Sequence, residues 1–409
     1  MRAVRSVTLV AIALAAVTTL VAPATPALAD STRDRQWWLE SLDVAAVHKV
    51  TQGKGITVAV VDTGVDADHP DLKGNVLPGI DLFDEKAKGQ VDRLGHGTAM
   101  ASLIAGHGHG SGGGNGVLGI APEAKILPVT VMNENKKMSR ESITAGITWA
   151  LNNGADVISV SLGTGYDDTL ATVMKQTWQR KVPVIAPAGN KNSTSGFPAA
   201  YGETIAVTGI DEKGGKAKES SRNNATAIAA PGENIIAAAP GGGYTDPAGS
   251  GTSDSTAIVA GAMALVLAQF PDLNSEGLQE QLLWTTKDAG DKGKDLDYGW
   301  GVLDLERAVT GKPDERVAQA SPTPTGELNG AAQYEGCDGC PSTAEQVVQI
   351  VALFGGLCIV IGLIVFLLVR RSRKKRRQNA PEPAFAQQQQ QPAARAVEDD
   401  QGWRRPPGA

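Results

Sequence analysis

The chain has 409 residues, of which 42% are hydrophobic and 48 are glycine, so it is long enough to bury one large core. The net charge of −6 is unevenly divided: residues 1–29 carry +2 and residues 370–409 carry +6, which leaves −14 for residues 30–369. So acidic a body excludes a nucleic-acid-binding protein, because phosphate backbones attract positive charge.

The first element in chain order is a targeting segment. Arg2 and Arg5 precede a largely apolar run over residues 7–21, and residues 27–29 form a small-x-small cleavage pattern. We predict a secretory signal peptide over residues 1–29. A retained N-terminal membrane helix is disfavoured, because the apolar run is short and prolines follow it.

Residues 30–310 are predicted to form the folded body, with a short N-terminal extension. Continuous apolar strands separated by helices indicate a parallel sheet covered on both faces, so the predicted class is α/β with three layers. In such sheets, functional sites lie at the carboxyl ends of the strands. The predicted strands are residues 56–61, 125–131, 157–160 and 182–186, and the predicted helices are residues 97–106, 139–152, 169–180 and 257–270.

The composition changes three times beyond the body. Residues 311–346 are rich in Pro, Thr and Gly and are predicted to be a linker. Residues 347–369 are uncharged and long enough to cross about 30 Å of hydrocarbon as one helix. The basic run 370–377 marks the cytoplasmic side, and residues 370–409 are predicted to be a disordered tail. We therefore expect a protein anchored in the cell membrane by a single span, with its body outside.

Cysteine usage is consistent with an exported body that depends on packing. None of the three cysteines lies between residues 30 and 336, so disulfides cannot staple the core. Cys337 and Cys340 lie just outside the predicted span, where an oxidising compartment favours a small disulfide loop or links between chains over a zinc half-site. Cys358 lies inside the span and is interpreted as an apolar residue.

Two motifs in the first third of the body contain residues that could act chemically. An apolar strand leads to Asp62 and the chain then turns at Gly64, although such an aspartate on its own more often caps a turn. His96 lies between Gly95 and Gly97 at the start of a small-residue helix, and glycines let the backbone pack close to the ring.

The third motif places Ser253 just before the predicted helix 257–270. A serine at this place is ordinarily an N-cap. If Ser253 is a nucleophile, its own backbone N–H and the positive end of the helix would face a developing oxyanion. The chain order of aspartate, histidine and serine, with a small gap and then a large one, is the order of one known catalytic triad.

Together the motifs resemble the signature boxes of the subtilases. The match continues between the boxes, at residues 116–122, 161–163 and 187–190, and it covers about residues 36–308. The resemblance implies a three-layer subtilisin-like fold around a central parallel sheet. The three boxes are Asp62-Thr63-Gly64, His96-Gly97-Thr98 and Gly251-Thr252-Ser253.

The resemblance also implies a role for each matched residue. Ser253 attacks the scissile carbonyl, His96 takes its proton and returns it to the leaving amine, and Asp62 holds the imidazole tautomer and stabilises its cation. Asn190 donates its side-chain amide to the oxyanion, a contact typically worth about 3 kcal/mol of barrier. The residues implied to bind the substrate as an added strand are Ser161, Leu162, Gly163, Ala188 and Gly189.

Within the subtilases the chain resembles the mycosins, which are proteases tied to actinobacterial type VII secretion. The resemblance rests on residues 36–42 ahead of the first box, the proline-rich linker and the C-terminal span with its basic stop. Only about 25 residues separate the signal from the first strand, too few for the folded inhibitory propeptide of many subtilisins. The implied partners are a protein or peptide substrate, the membrane and a type VII secretion membrane complex.

Three positions depart from the family pattern. Asp254 stands where an apolar or small residue is common, Ala257 where proline is common, and Ile258 where histidine or valine is frequent. The Asp254 carboxylate, next to Ser253, could oppose an oxyanion within a few ångströms, although it suits the helix dipole. We therefore expect a slow or narrowly selective enzyme.

No cofactor is expected to be required, although the resemblance allows calcium. Asp71 matches a position that often ligates calcium in subtilases. His107 and His109 invite a metal interpretation, but no carboxylate flanks them in the sequence, so the glycine-rich stretch 106–116 is predicted to be a flexible surface loop.

Other classes of function stay open. A pseudo-protease could serve as a structural part of a secretion channel, and Asp254 is the residue that favours this alternative. A membrane-anchored binding module is disfavoured because binding requires no triad. An esterase would share the mechanism, but a strand that pairs with peptides favours amide substrates.

Overall fold

A seven-stranded sheet forms the centre of the computed structural model, which describes residues 31–190, 196–245 and 251–314. Its strand order is β2-β5-β1-β6-β7-β8-β9, and each neighbouring pair is parallel. Two small antiparallel pairs, β3-β4 and β10-β11, lie outside it. The strands are β1 (Thr57–Asp62), β2 (Ile80–Asp81), β3 (His107–His109), β4 (Asn115–Leu118), β5 (Lys125–Thr130), β6 (Val157–Ser159), β7 (Val184–Pro187), β8 (Thr204–Ile210), β9 (Thr226–Pro231), β10 (Ala238–Ala239) and β11 (Gly243–Tyr244).

Helices cover both faces of this sheet. The helices are α1 (Ser31–Asp34), α2 (Trp37–Ser41), α3 (Val44–Val47), α4 (His96–Ala105), α5 (Arg140–Asn152), α6 (Asp168–Gln179), α7 (Thr252–Gln269), α8 (Ser275–Leu283) and α9 (Leu305–Thr310). The α/β class and the central parallel sheet predicted from the sequence are confirmed.

The central strand β1 shows why the sequence pattern is continuously apolar. Side chains alternate between the two faces of a strand. Val58 and Val60 pack with α4 and α7 in one buried cluster, whereas Ala59 and Val61 pack with α5 and α6 in the other. Because both faces are covered, no position between Val58 and Val61 can be polar without a partner.

The predicted strands at residues 56–61, 125–131, 157–160 and 182–186 end within two residues of β1, β5, β6 and β7. The start predicted for the last helix was wrong, because α7 begins at Thr252 and not at residue 257. Gly251 is its N-cap, so Ser253 is the second helical residue and not a cap.

The early start of α7 is explained by partners for its first N–H groups, which would otherwise be unsatisfied. The Asp254 carboxylate accepts the Gly251 N–H at 3.3 Å. The side-chain oxygen of Asn190 accepts the Thr252 N–H at 3.1 Å.

The N-terminal extension belongs to the folded body. Trp38 is fully buried and joins Val44 and Val47 in the cluster that contains α7. The Trp37 indole donates to the backbone carbonyl of Glu233 at 3.1 Å. These contacts tie the extension to distant parts of the chain.

No helix among the described residues is long and apolar enough to cross a membrane. The predicted signal peptide (1–29), span (347–369) and tail (370–409) lie outside the described residues, as does the linker beyond residue 314. These segments stay predictions.

Candidate active site

Asp62 and His96 meet at the carboxyl end of β1. Asp62 is the last residue of that strand and is fully buried, and His96 is the first residue of α4. His96 Nδ1 lies 2.8 and 2.9 Å from the two Asp62 carboxylate oxygens. Nδ1 therefore carries the proton that it donates to Asp62, and in the neutral ring Nε2 is left as a proton acceptor.

A second buried carboxylate, Asp92, holds the start of α4 in place. One of its oxygens accepts the N–H groups of Leu94 (3.0 Å) and Gly95 (2.8 Å) and the hydroxyl of Thr63 (2.9 Å). The other accepts the N–H of Thr98 at 2.9 Å and its hydroxyl at 2.6 Å. Five donors thus converge on one side chain that the sequence analysis did not single out.

Thr63 links this network to the aspartate and histidine. Its N–H donates to Asp62 at 2.8 Å, and its hydroxyl accepts the Gly97 N–H at 2.9 Å. A Cβ at Gly97 would lie 2.1 Å from the Gly64 carbonyl oxygen, so this approach of α4 to β1 requires glycine. The backbone of Gly95 and Gly97, the sequence neighbours of His96, is therefore held in place, and this fixes His96 relative to Asp62.

Ser253 is paired with Ser161, which follows β6. The Ser253 hydroxyl donates to the Ser161 carbonyl at 3.3 Å, and the Ser161 hydroxyl donates to the Ser253 carbonyl at 3.2 Å. Within the part of the chain that the structure describes, the Ser253 hydroxyl makes no hydrogen bond to His96. A bond between nucleophile and base is often long or poorly aligned before substrate binds.

Asn190 lies directly after the turn that follows β7 and binds the first turn of α7. Its side-chain oxygen accepts both the N–H (3.1 Å) and the hydroxyl (2.8 Å) of Thr252, the residue before Ser253. Because a backbone N–H can only donate, this contact fixes which end of the Asn190 amide is the oxygen. The structure thus joins Asn190 to the helix turn that contains Ser253.

The loop that leads to Asn190 is held by two residues that the sequence analysis missed. The Ser221 hydroxyl and N–H donate to the Gly189 carbonyl at 2.9 and 3.0 Å, and the Asn223 amide donates to the Ala188 carbonyl at 2.8 Å. The Ala188 N–H donates to Val207 at 2.8 Å. The Ala188 side chain is buried, and its N–H and carbonyl groups are already hydrogen-bonded within the protein. Ala188 therefore supports the position of Asn190 and leaves no free backbone group for a substrate.

The remaining residues expected to bind substrate differ in exposure. Ser161 is buried and Leu162 packs partly into the cluster with α5 and α6, whereas Gly163 is exposed, with open space where a Cβ would lie. Thr164 and Phe197 form an antiparallel bridge just beyond, at 2.8 and 2.9 Å. The accessible backbone at Gly163 is thus where an added strand could approach.

The charge on the site depends on three carboxylates around one imidazole. Asp62 is the main cause that raises the pKa of His96 to about 9; desolvation acts against it, and Asp254 and Asp92 add to the increase. The ring keeps 38% of its surface exposed, so solvent screens these charges in part. Burial raises the pKa of Asp254 to about 7, and the nearby His96 charge opposes this increase.

A cavity of about 330 Å³ lies beside Thr63, at the carboxyl ends of β1, β2 and β5. Three carboxylates line it, and Arg93 lies 3.8 Å from Asp81, 3.3 Å from Asp84 and 3.8 Å from Glu134. The cavity thus lies beside the residue that follows Asp62, and one arginine faces its three carboxylates. A larger cavity of about 590 Å³, beside α5 and the start of α6, includes none of the predicted site residues.

Both carboxylate oxygens of Asp71, the residue that the resemblance offers to calcium, are engaged in hydrogen bonds. One Asp71 oxygen lies 2.6 Å from His109 Nδ1, and the other accepts the Val117 N–H at 2.8 Å. Among the described residues, no group of three or more His, Cys, Asp or Glu side chains could hold a metal ion. The fold therefore supplies the carboxylate that His109 lacks in the sequence, but uses it for hydrogen bonds.

An α/β sheet that joins a buried aspartate to a histidine, with a serine in the first turn of a nearby helix, defines a subtilisin-like serine peptidase. The chain belongs to the Subtilase family (peptidase S8), which it matches over residues 53–301.

Relatives and solved structures agree with this family. The chain is 36% identical over 289 residues to the intracellular serine protease of Paenibacillus polymyxa, covering 66% of this chain and 86% of the relative. It is 33% identical to subtilisin DY of Bacillus licheniformis, covering 63% and 92% of the two chains. The crystal structure of MycP1 from the ESX-1 type VII secretion system is similar with a TM-score of 0.60 and 25% identity, covering 68% and 87%.

The Asp92 network generates a first prediction. Asp92→Asn keeps the size of the side chain but leaves one acceptor oxygen for five donors, so the start of α4 should shift relative to β1. We expect Asp92→Asn to lower kcat/KM for a peptide substrate by about 10²-fold, as small misplacements of a catalytic group do. Steady-state kinetics would measure this loss. Asp68→Asn, at an exposed carboxylate, is the control, and equal activity of the two variants would contradict the assigned role.

A second prediction concerns the pH dependence. His96 must be neutral to accept the serine proton, so kcat/KM should rise with pH well above the ordinary histidine range. Asp254→Asn removes a negative charge that stabilises the imidazolium, which lowers the pKa of His96. We expect the acid limb of the pH profile to move to lower pH and activity at neutral pH to rise on the order of threefold. Asp254→Glu should retain the original profile. Superimposable profiles for Asp254→Asn and the unchanged protein would exclude this coupling.

Proposed function

We propose that the chain is a membrane-anchored extracellular serine endopeptidase that cleaves peptide bonds through an acyl-enzyme. The observation that carries the proposal is the pair of hydrogen bonds from His96 Nδ1 to buried Asp62, with Asn190 bound beside Ser253 at the start of α7. The buried carboxylate fixes the tautomer in which Nε2 can accept a proton.

The first half of the reaction forms an ester and releases an amine. The Ser253 hydroxyl turns from the Ser161 carbonyl, its proton passes to His96 Nε2, and its oxygen bonds to the scissile carbonyl carbon. The resulting oxyanion faces the Ser253 N–H and the Asn190 amide. When the carbon–nitrogen bond breaks, His96 gives its proton to the leaving amine.

The second half regenerates the enzyme. Water attacks the ester carbonyl, and His96 takes the proton of the water and passes it to the departing Ser253 oxygen. The products are the free serine and a carboxylic acid. No cofactor takes part in either half.

We further propose that the peptidase acts in type VII secretion. This role is supported by the likeness to MycP1, including the structure with its N-terminal propeptide removed, which is 27% identical with a TM-score of 0.60. The predicted span at residues 347–369 would place the peptidase beside a secretion complex in the membrane. A pseudo-protease that acts as a structural part of such a complex is the second candidate, favoured by the hydrogen bond that turns the Ser253 hydroxyl toward Ser161.

A serine-directed fluorophosphonate probe separates the two candidates. We expect the full chain to become labelled and Ser253→Ala to remain unlabelled. Ser255→Ala should be labelled normally, because its hydroxyl lies two residues along the same helix without a hydrogen-bond partner among the described atoms. Asn190→Ala should keep some labelling but lose about 10²–10³ in kcat, since one oxyanion donor is lost. If the unchanged chain stays unlabelled, as Ser253→Ala should, the result would support the pseudo-protease.

The secretion role requires a separate measurement. We expect N-terminal sequencing of the secreted proteins of cells with the unchanged chain to reveal processed termini that are missing in cells with Ser253→Ala. Secretion of the same proteins in both cells, with identical termini, would argue against a processing role while leaving peptidase activity itself intact.

A further inference from the structure

Three carbonyl oxygens of the glycine-rich loop, residues 106–116 from the end of α4 into β4, converge on one side chain from the N-terminal extension. Arg33 Nε donates to the Gly116 carbonyl at 3.0 Å, and Nη2 donates to Gly113 at 3.0 Å and Asn115 at 3.4 Å. About 80 residues of sequence separate the two partners, so these contacts exist only in the folded chain.

The loop backbone closes tightly around this guanidinium. A Cβ at Gly108, whose φ is +66°, would lie 2.5 Å from Arg33 Nη2 and 2.5 Å from the Gly113 and Asn115 carbonyl oxygens. Only glycine allows both this backbone conformation and this approach. The loop is thus shaped as an oxygen-lined cradle (the carbonyls of Gly113, Asn115 and Gly116), and Arg33 fills it.

The chemistry of the cradle suits a guanidinium better than calcium. Calcium takes about six to eight oxygen ligands, whereas the cradle offers three carbonyl oxygens. The neighbouring Asp71 carboxylate is engaged by His109 at 2.6 Å and by the Val117 N–H at 2.8 Å. A planar guanidinium instead presents several N–H donors in one fork, which matches oxygens spread along a loop.

A second residue of the extension holds the end of the same loop. The Gln36 side chain is buried, donates to the Leu118 carbonyl at 3.0 Å and accepts the Leu118 N–H at 2.9 Å. The loop itself begins at Gly106, directly after α4, the helix that starts at His96. The extension therefore fastens the segment that leaves the helix of the catalytic histidine.

We propose that Arg33 acts as a built-in cation, which fills the carbonyl cradle beside Asp71 in place of a metal ion. The folded body therefore depends on its own N-terminal extension and not on calcium for the order of residues 106–118. This inference does not depend on peptidase activity.

Thermal unfolding of the full chain tests the proposal with EDTA, with added Ca²⁺ and with neither. We expect one melting temperature in all three conditions. Arg33→Ala should melt about 5 °C lower, because three hydrogen bonds to a charged group are lost. Arg33→Lys should recover only part of this loss, since it restores the charge without the fork. Millimolar guanidinium chloride should raise the melting temperature of Arg33→Ala and not that of the unchanged chain.

The control is Arg35→Ala, an exposed arginine two residues along the chain, which should melt like the unchanged protein. Hydrogen exchange gives a local readout: in Arg33→Ala, amides of residues 106–118 should exchange faster while those of α6 stay protected. The proposal is overturned if EDTA lowers the melting temperature of the unchanged chain and Ca²⁺ restores it. It is also overturned if Arg33→Ala and Arg35→Ala behave alike in both measurements.

Discussion

The site depends on keeping one carboxylate charged in the interior. Asp62 is fully buried at the end of β1, and a buried charge is tolerated only with hydrogen-bond partners around it. His96 and the Thr63 N–H supply these partners. Asp92 holds both residues indirectly, because it accepts the Thr63 hydroxyl and the Gly95 and Thr98 N–H groups around His96. The ordered start of α4 is therefore a condition for burying Asp62 as well as for orienting the imidazole.

The same packing connects this pair to the nucleophile. The helices α4 and α7 share one buried cluster, and each begins with the turn that contains a catalytic candidate. Ala257 and Ile258, which depart from the family pattern, are fully buried in that cluster. Their side chains fill the core behind the site, so these two departures concern packing and not the reaction itself.

What could be predicted from the sequence follows from how local each signal is. β1, β5, β6 and β7 are apolar runs buried on both faces, so their pattern identifies them without knowledge of their neighbours. The strands β8 and β9 are buried in the same way but were not assigned, because their runs contain many small and threonine residues. The family motifs identified the expected triad, whereas no single motif would have sufficed alone.

The missed features depend on partners that are distant in sequence. The first residues of α7 are polar, so their sequence is typical of a loop. Their helical conformation relies on Asn190, 62 residues earlier. The local contacts of Asp92 with the Leu94 and Gly95 N–H groups could be predicted, because an aspartate often accepts the amides that follow it in a turn. Its contact with Thr63 could not be predicted, because only the fold brings the two residues together. The same holds for Arg33 and its cradle.

Asp254 shows how one charge can act on the reaction in opposite directions. Its carboxylate accepts the Gly251 N–H and lies at a helix start, where negative charge is favourable. The same charge stabilises the imidazolium that forms during attack, which favours the reaction, but it also keeps His96 protonated before attack, which opposes it. It further disfavours an oxyanion nearby. Because burial raises the pKa of Asp254 to about 7, the balance among these effects changes across the neutral range. A carboxylate at this position therefore couples the protonation of His96 to that of Asp254, whereas an apolar or small residue would leave His96 to Asp62 and Asp92 alone.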